Sequence, residues 1–143
     1  MLAASGVLLS WPKATGVVCD IGGSSLELAF VENGKIKITQ SFEIGPLALQ
    51  DYSKIGKNSF EIIKEKLSKI DELFPSNVNS LFLVGGCWRA MAKIHMNLTD
   101  YPLKVLQGYK VSVNNFDSTI ENIWILKTYE LLKYTSSSEE RVR

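Results

Sequence analysis

Two short turns decide most of what this chain can become. Gly22-Gly23-Ser24-Ser25 and Asn33-Gly34 divide residues 16–42 into three runs that read as strands. Gly16–Ile21 is rich in β-branched residues, Ser25–Glu32 alternates apolar with polar, and Lys35–Phe42 alternates again. Asn-Gly between two such runs is a strong hairpin signal, because both central residues of the favoured turn need positive φ. Strands joined by loops this short pair with their chain neighbours. The segment is therefore expected to be an antiparallel three-strand meander.

Around it the pattern is mainly helical. Leu2, Val7 and Leu9 give residues 1–10 one apolar side, and Trp11-Pro12 ends that helix. Gly45-Pro46-Leu47 interrupts the strands ahead of a short helix near Leu47–Tyr52. Ser59 is expected to cap a helix from about Phe60 to Leu73, with Ile62, Ile63, Leu67, Ile70 and Leu73 on one face. Ser80–Val84 reads as a short buried strand, and Gly85-Gly86 opens a helix from about Cys87 to His95. Residues 98–108 read as loop and Tyr109–Val113 as an edge strand or extended piece. Asp117 or Ser118 is expected to cap a last helix reaching about Tyr134. The order β-β-β-α-β-α-α belongs to the mixed α/β class, an antiparallel meander joined to a parallel extension. One domain over 1–143 is expected, with its core at about 14–134 and a polar tail at 135–143.

Composition narrows the function classes. With 45% hydrophobic residues among 143, the chain can bury a sizeable core. A formal charge of +1 supplies no general attraction for nucleic acid or a membrane, so neither is expected as a partner. A phosphorylated ligand would have to be held by local geometry. His95 is the single histidine, and Cys19 and Cys87 are far apart, which excludes a His-based triad or a spaced metal-ligand motif. Both cysteines are expected as buried, reduced thiols. The start, MLAASGVLLSW, lacks the basic stretch of a signal peptide, and no run approaches the roughly 20 apolar residues of a membrane span. The expected location is the cytoplasm.

The first chemical constellation runs from Asp20 to Glu27. Gly22 and Gly23 can take positive φ, so that successive N–H groups converge on one anion, and Ser24 and Ser25 add hydroxyls. Ser25 and Glu27 share one strand face, opposite Leu26, Leu28 and Phe30, and Asp20 ends the preceding strand nearby. Two carboxylates beside an anion cradle repel phosphate unless a hard cation bridges them, which implies Mg²⁺ held by Asp20 and Glu27, directly or through water. An ordinary Gly-Gly hairpin with an acid at each end has the same spacing, so this motif alone leaves both readings open.

The second constellation is Leu81-Phe82-Leu83-Val84-Gly85-Gly86-Cys87-Trp88-Arg89. A strand passes through a glycine pair into a helix start, where unpaired N–H groups and the helix dipole favour anions. Arg89 could add a charged fork; a close-packed turn with a solvated Arg89 is the plain alternative. No Gly-x-x-x-x-Gly-Lys-Ser/Thr or Gly-x-Gly-x-x-Gly motif occurs, which argues against a P-loop enzyme or a dinucleotide dehydrogenase.

Together these segments resemble the exopolyphosphatase/guanosine pentaphosphate phosphohydrolase (Ppx/GppA) family of the actin–hexokinase–Hsp70 superfamily. GVVCDIGGSSLEL at 16–28 resembles its second phosphate loop, Ser41–Leu47 its Ser-x-x-(Leu/Ile)-Gly segment, and Leu83–Ala90 its Gly-Gly-Thr-x-Arg-Ala turn. Leu106-Gln107-Gly108-Tyr109 is similar to a weaker His-Gly-Tyr segment. The resemblance implies a ribonuclease H-like, actin-type ATPase lobe and a Mg²⁺-dependent phosphohydrolase acting on polyphosphate or guanosine pentaphosphate. It places metal-water and catalytic roles on Asp20 and Glu27. Phosphate contacts would fall on Gly22, Gly23, Ser24 and Ser25, and on Gly85, Gly86, Cys87 and Arg89. Ser24 stands where a third glycine is usual and Cys87 where threonine is common. The family's first lobe, with another phosphate loop and a catalytic glutamate, has no counterpart here. An incomplete enzyme is therefore expected, its partner a separately encoded first lobe or a second copy. The alternatives are a non-catalytic phosphate-binding module and a sugar or acetate kinase lobe, the latter without recognisable acceptor or adenine contacts.

Overall fold

The computed structural model describes residues 2–68 and 70–135. The polar tail expected at 135–143 lies, apart from Thr135, outside the described residues. The chain forms two compact units, residues 1–85 and 86–143.

The first unit is built on a four-stranded sheet of order β3-β2-β1-β4. Its strands are β1 (Gly16–Ile21), β2 (Leu26–Glu32), β3 (Lys35–Phe42) and β4 (Leu81–Val84). β1–β2 and β2–β3 are antiparallel and β1–β4 is parallel, so the expected meander with a parallel extension is what forms. Asn33 (φ 50°) and Gly34 (φ 77°) both adopt positive φ in the β2–β3 turn, as the Asn-Gly signal requires. Gly34 is needed for a second reason: a Cβ there would lie 2.0 Å from the Pro12 carbonyl oxygen.

Register puts Val18 opposite Ala29 and Asp20 opposite Glu27, so these four share one sheet face. Helix α1 (Leu2–Ser10) covers the apolar end of that face. Ala4 and Val7 pack with Ala14, Val18, Ala29 and Val31, and Phe82 and Val84 join them. Val18, Ala29 and Val31 have no exposed surface. The carboxylates therefore sit where the covered core ends, at the β1–β2 turn.

Three helices complete the unit: α2 (Pro46–Lys54), α3 (Ser59–Leu67) and α4 (Ile70–Leu73). The single helix expected over 60–73 is broken at Ser68, whose N–H and hydroxyl both turn back to the Glu65 carbonyl. Asn58, not Ser59, is the cap: its side-chain oxygen accepts from the Phe60 N–H at 2.9 Å.

The second unit is helical, with α5 (Gly86–Leu98), α6 (Val113–Ile125) and α7 (Thr128–Thr135). No strand forms at 109–113. Tyr109 instead bonds His95 Nδ1 through its hydroxyl and packs edge-on against Tyr101, with ring centroids 4.8 Å apart. Ser112 caps α6 by accepting from the Asn115 N–H, five residues ahead of the expected Asp117. Leu126, in extended backbone, then divides the expected last helix in two. Among the described residues, no helix is long and apolar enough to cross a membrane.

Candidate functional site

The site belongs to the first unit and forms where β1 and β2 leave the sheet. Asp20 is the last residue but one of β1 and Glu27 the second of β2, directly opposite each other across an antiparallel ladder. Opposed residues in such a ladder have Cβ atoms roughly 4.5–5.5 Å apart, and two like charges there repel. No hydrogen bond or ion pair among the described residues engages either carboxylate. An unrelieved pair of half-buried acids is a poor structural device and a good cation ligand.

Between them, residues 22–25 form the turn. Gly22 donates its N–H to the Ser25 carbonyl at 2.9 Å, closing the turn on itself. Neither Gly22 nor Gly23 has positive φ, nor does Ser24. The expectation that two left-handed glycines aim the cradle is corrected: the turn closes with ordinary φ, and Gly22 spends its donor internally. For the same reason Ser24 fits where a third glycine is usual.

The donors are aimed from elsewhere. The Gly45 N–H donates to the Ser24 carbonyl at 3.1 Å, and the Leu47 N–H to the Gly23 carbonyl at 2.8 Å. Both loop carbonyls thus point at the start of α2. Across a trans peptide, C=O and the next N–H are antiparallel, so the N–H groups of Ser24 and Ser25 point the other way. No hydrogen bond among the described residues engages them, the Gly23 N–H, or the Ser24 and Ser25 hydroxyls. Gly45 was not among the expected site residues; its signals in the sequence were its place before Pro46 and at the end of the Ser-x-x-(Leu/Ile)-Gly resemblance.

The second glycine turn reaches the same place. Gly85 has φ of 109°, and a Cβ there would stand 2.8 Å from Asp20 Oδ1 and 3.2 Å from the Ile21 carbonyl oxygen. Asp20, Gly22, Gly23, Ser24, Ser25, Glu27 and Gly85 are therefore gathered at one end of the sheet. The remaining expected contacts, Gly86, Cys87 and Arg89, belong to the second unit, in the first turn of α5. Cys19 is buried as expected, but Cys87 is exposed; local desolvation still holds its thiol above the ordinary range. An apolar neighbourhood suggested burial, and a helix start proved more open than that.

Two open depressions adjoin the turn. One of about 450 Å³ is lined by Ser24, Glu43 and the α2 residues Ala48, Asp51 and Tyr52, and one of about 240 Å³ by Glu27, Thr39, Gln40 and Ser41. No group of three or more His, Cys, Asp or Glu side chains among the described residues could enclose a metal. Two carboxylates suit Mg²⁺ nonetheless, which commonly takes one or two and completes its shell with water and phosphate oxygens.

Comparison with known proteins bears on the family and the fold. The Ppx/GppA phosphatase family matches residues 1–143. An exopolyphosphatase from Cytophaga hutchinsonii superposes with a TM-score of 0.77 at 20% identity, covering 98% of this chain and 50% of that one. A type II variant of the Aquifex aeolicus Ppx/GppA phosphatase superposes at 0.71 and 23% identity, covering 98% and 49%. The chain thus spans about half the length of the solved structures it matches, and it shares their actin-like ATPase fold. Comparison with curated proteins gives no match.

Proposed function

The chain belongs to the Ppx/GppA phosphatase family, and from that premise we propose that it forms one lobe of a Mg²⁺-dependent phosphohydrolase. The reaction is release of the terminal phosphate of inorganic polyphosphate or guanosine pentaphosphate. The observation that carries this is the Asp20–Glu27 pair, opposed and unpartnered, beside a turn whose free N–H groups face away from α2.

In this reading Ser24 and Ser25 donate their N–H groups to the oxygens of the phosphate being released, with their hydroxyls as further donors. Asp20 and Glu27 would hold Mg²⁺, which would supply charge neutralisation for phosphate beside the carboxylates. Asp20, kept in place by the lack of a side chain at Gly85, orients the attacking water. Phosphoryl transfer rests on positioning and charge stabilisation more than on a covalent intermediate, so carboxylates and N–H donors are the right kind of parts. They are not a full set. The proposed partner is a first lobe bearing a further phosphate loop and a glutamate, and the chain alone is expected to turn over substrate negligibly. Cytoplasmic location is part of the proposal.

The test combines binding with turnover. The 143-residue chain should bind Mg²⁺-tripolyphosphate weakly and saturably by calorimetry, and Asp20→Asn should remove that binding. Co-expression with a first lobe should restore phosphate release from tripolyphosphate or guanosine pentaphosphate. Absence of Mg²⁺-dependent binding would sink the proposal. Binding without release in the paired lobes would leave the second reading, a non-catalytic phosphate-binding lobe. That reading has one observation in its favour, the lack of a third metal-ligating side chain among the described residues.

A further inference from the structure

We infer that Gly45, with the first turn of α2, is the positioning element of the phosphate loop: it fixes which backbone donors the loop can offer. This rests on the reading of residues 22–25 as a phosphate cradle and adds a residue to it.

Three observations converge. The Gly45 and Leu47 N–H groups take up the Ser24 and Gly23 carbonyls, at 3.1 and 2.8 Å. Neither donor is lost to the helix, because the first N–H groups of a helix have no internal acceptor, and the positive end of α2 favours the carbonyl oxygens it meets. Peptide planarity then turns the Ser24 and Ser25 N–H groups outward as a consecutive pair. Finally, Gly45 is buried with no room to spare. A Cβ on it would lie 2.5 Å from the Ser24 carbonyl carbon, 2.6 Å from the Gly23 oxygen and 2.6 Å from the Ser25 nitrogen. All three are backbone atoms of the loop, with no flexible side-chain end that could swing aside. Leu47 closes the other side, its Cδ1 3.2 Å from where a Cβ on Gly23 would be.

The loop's own glycines show by contrast where the constraint sits. A Cβ on Gly22 would meet only the Ser25 carbonyl oxygen, at an ordinary 3.6 Å. The conformation is thus imposed by the approach of α2 more than by glycine freedom inside the turn. Rotating either clamped peptide would swing a carbonyl oxygen into the place of a donor, and a phosphate would meet repulsion there.

The experiment is an amide NMR study of the 143-residue chain with Mg²⁺-tripolyphosphate as probe. In the free wild-type chain, the Gly45 and Leu47 amides should be protected from hydrogen exchange and those of Ser24 and Ser25 should exchange freely. Adding the probe should shift and protect Ser24 and Ser25 while Gly45 and Leu47 stay protected. Gly45→Ala, which forces the loop off α2, should weaken binding about tenfold or more, equivalent to roughly 1.4 kcal/mol. Leu47→Pro, which deletes the other clamp donor in the first turn of α2, should do the same. Val31→Ala weakens the same unit through its core and should leave affinity unchanged. Wild-type affinity in either folded clamp variant overturns the inference, as does protection of Ser24 or Ser25 without ligand. If the probe binds without shifting residues 23–25, the cradle reading fails along with it; if it shifts them but ignores the clamp variants, only the inference fails.

Discussion

Gly85→Ala should do more damage than a one-carbon change ordinarily does, in two separable ways. At φ of 109° an L-residue sits outside its comfortable regions, at a cost of about 1–3 kcal/mol. The new Cβ also lands 2.8 Å from Asp20 Oδ1, so either the carboxylate or the turn must shift, for about 1–3 kcal/mol more. The sum, about 2–6 kcal/mol, is a large share of the roughly 5–15 kcal/mol that stabilises a domain. Because the chain forms two units, a single melting curve would blend them. The measurement is hydrogen exchange at the Val18 and Val31 amides, which lie in the first unit's core strands. A double-mutant cycle then separates the terms: in an Asp20→Ala background the clash partner is gone, so Gly85→Ala should cost about 1 kcal/mol less. Gly86→Ala, whose Cβ would meet nothing within 4 Å, is the reference for a harmless neighbour. A Gly85→Ala variant as stable as Gly86→Ala, or a cycle without coupling, would refute the claim that the second glycine turn exists to admit the Asp20 carboxylate.

Asp20→Asn should leave the first unit as stable as wild type or more stable by about 0.2–1 kcal/mol, since it relieves the repulsion across the ladder from Glu27; denaturation monitored by exchange at Val18 checks this, and a clear loss of stability would mean the acid is structural. Gly34→Ala should cost more than about 2 kcal/mol, combining positive φ with a Cβ 2.0 Å from the Pro12 oxygen, and should show as accelerated exchange along β2 and β3. Burial holds the His95 pKa below its ordinary value, so the folded second unit binds its proton less readily than the unfolded chain does. Stability is then unaffected above the unfolded value near 6.5 and falls as pH drops below it toward the lowered folded value. Denaturant titrations followed at the Ile94 and Met96 amides should show this decline, and His95→Gln should flatten it.

The strands were legible because their signals are local. Gly16–Ile21 and Lys35–Phe42 form with the bounds that β-branched content and alternation predict, and Asn33-Gly34 adopts its turn for reasons contained in two residues. Helix ends were less legible, since competing caps look alike in sequence. Asn58 and Ser59 can both accept an N–H; Ser59 instead pairs its hydroxyl with Ser53 at 3.0 Å, a partner six residues away that no cap rule consults. Residues Tyr109–Val113 read as an edge strand or extended piece; no strand forms there, and the Tyr109 hydroxyl and ring are claimed by His95 and Tyr101.

The site divides along the same line. Strand period put Ser25 and Glu27 on one face with Asp20 expected nearby, and the ladder sets Asp20 opposite Glu27. The glycines were misassigned in role, because sequence shows that a glycine is present but not which of its two properties is in use. Gly22 and Gly23 suggested unusual φ, yet the turn uses none. Gly45 suggested a helix boundary, yet its missing side chain admits the loop backbone to α2. Gly85 uses both properties at once, positive φ and the room it leaves for a carboxylate. On the proposed reading, the phosphate loop is therefore specified by three segments far apart in sequence. The turn supplies the donors, α2 aims them, and the β4 turn leaves space for the acid. The resemblance marks all three segments in the sequence, but what the second and third do for the turn becomes visible only as contacts.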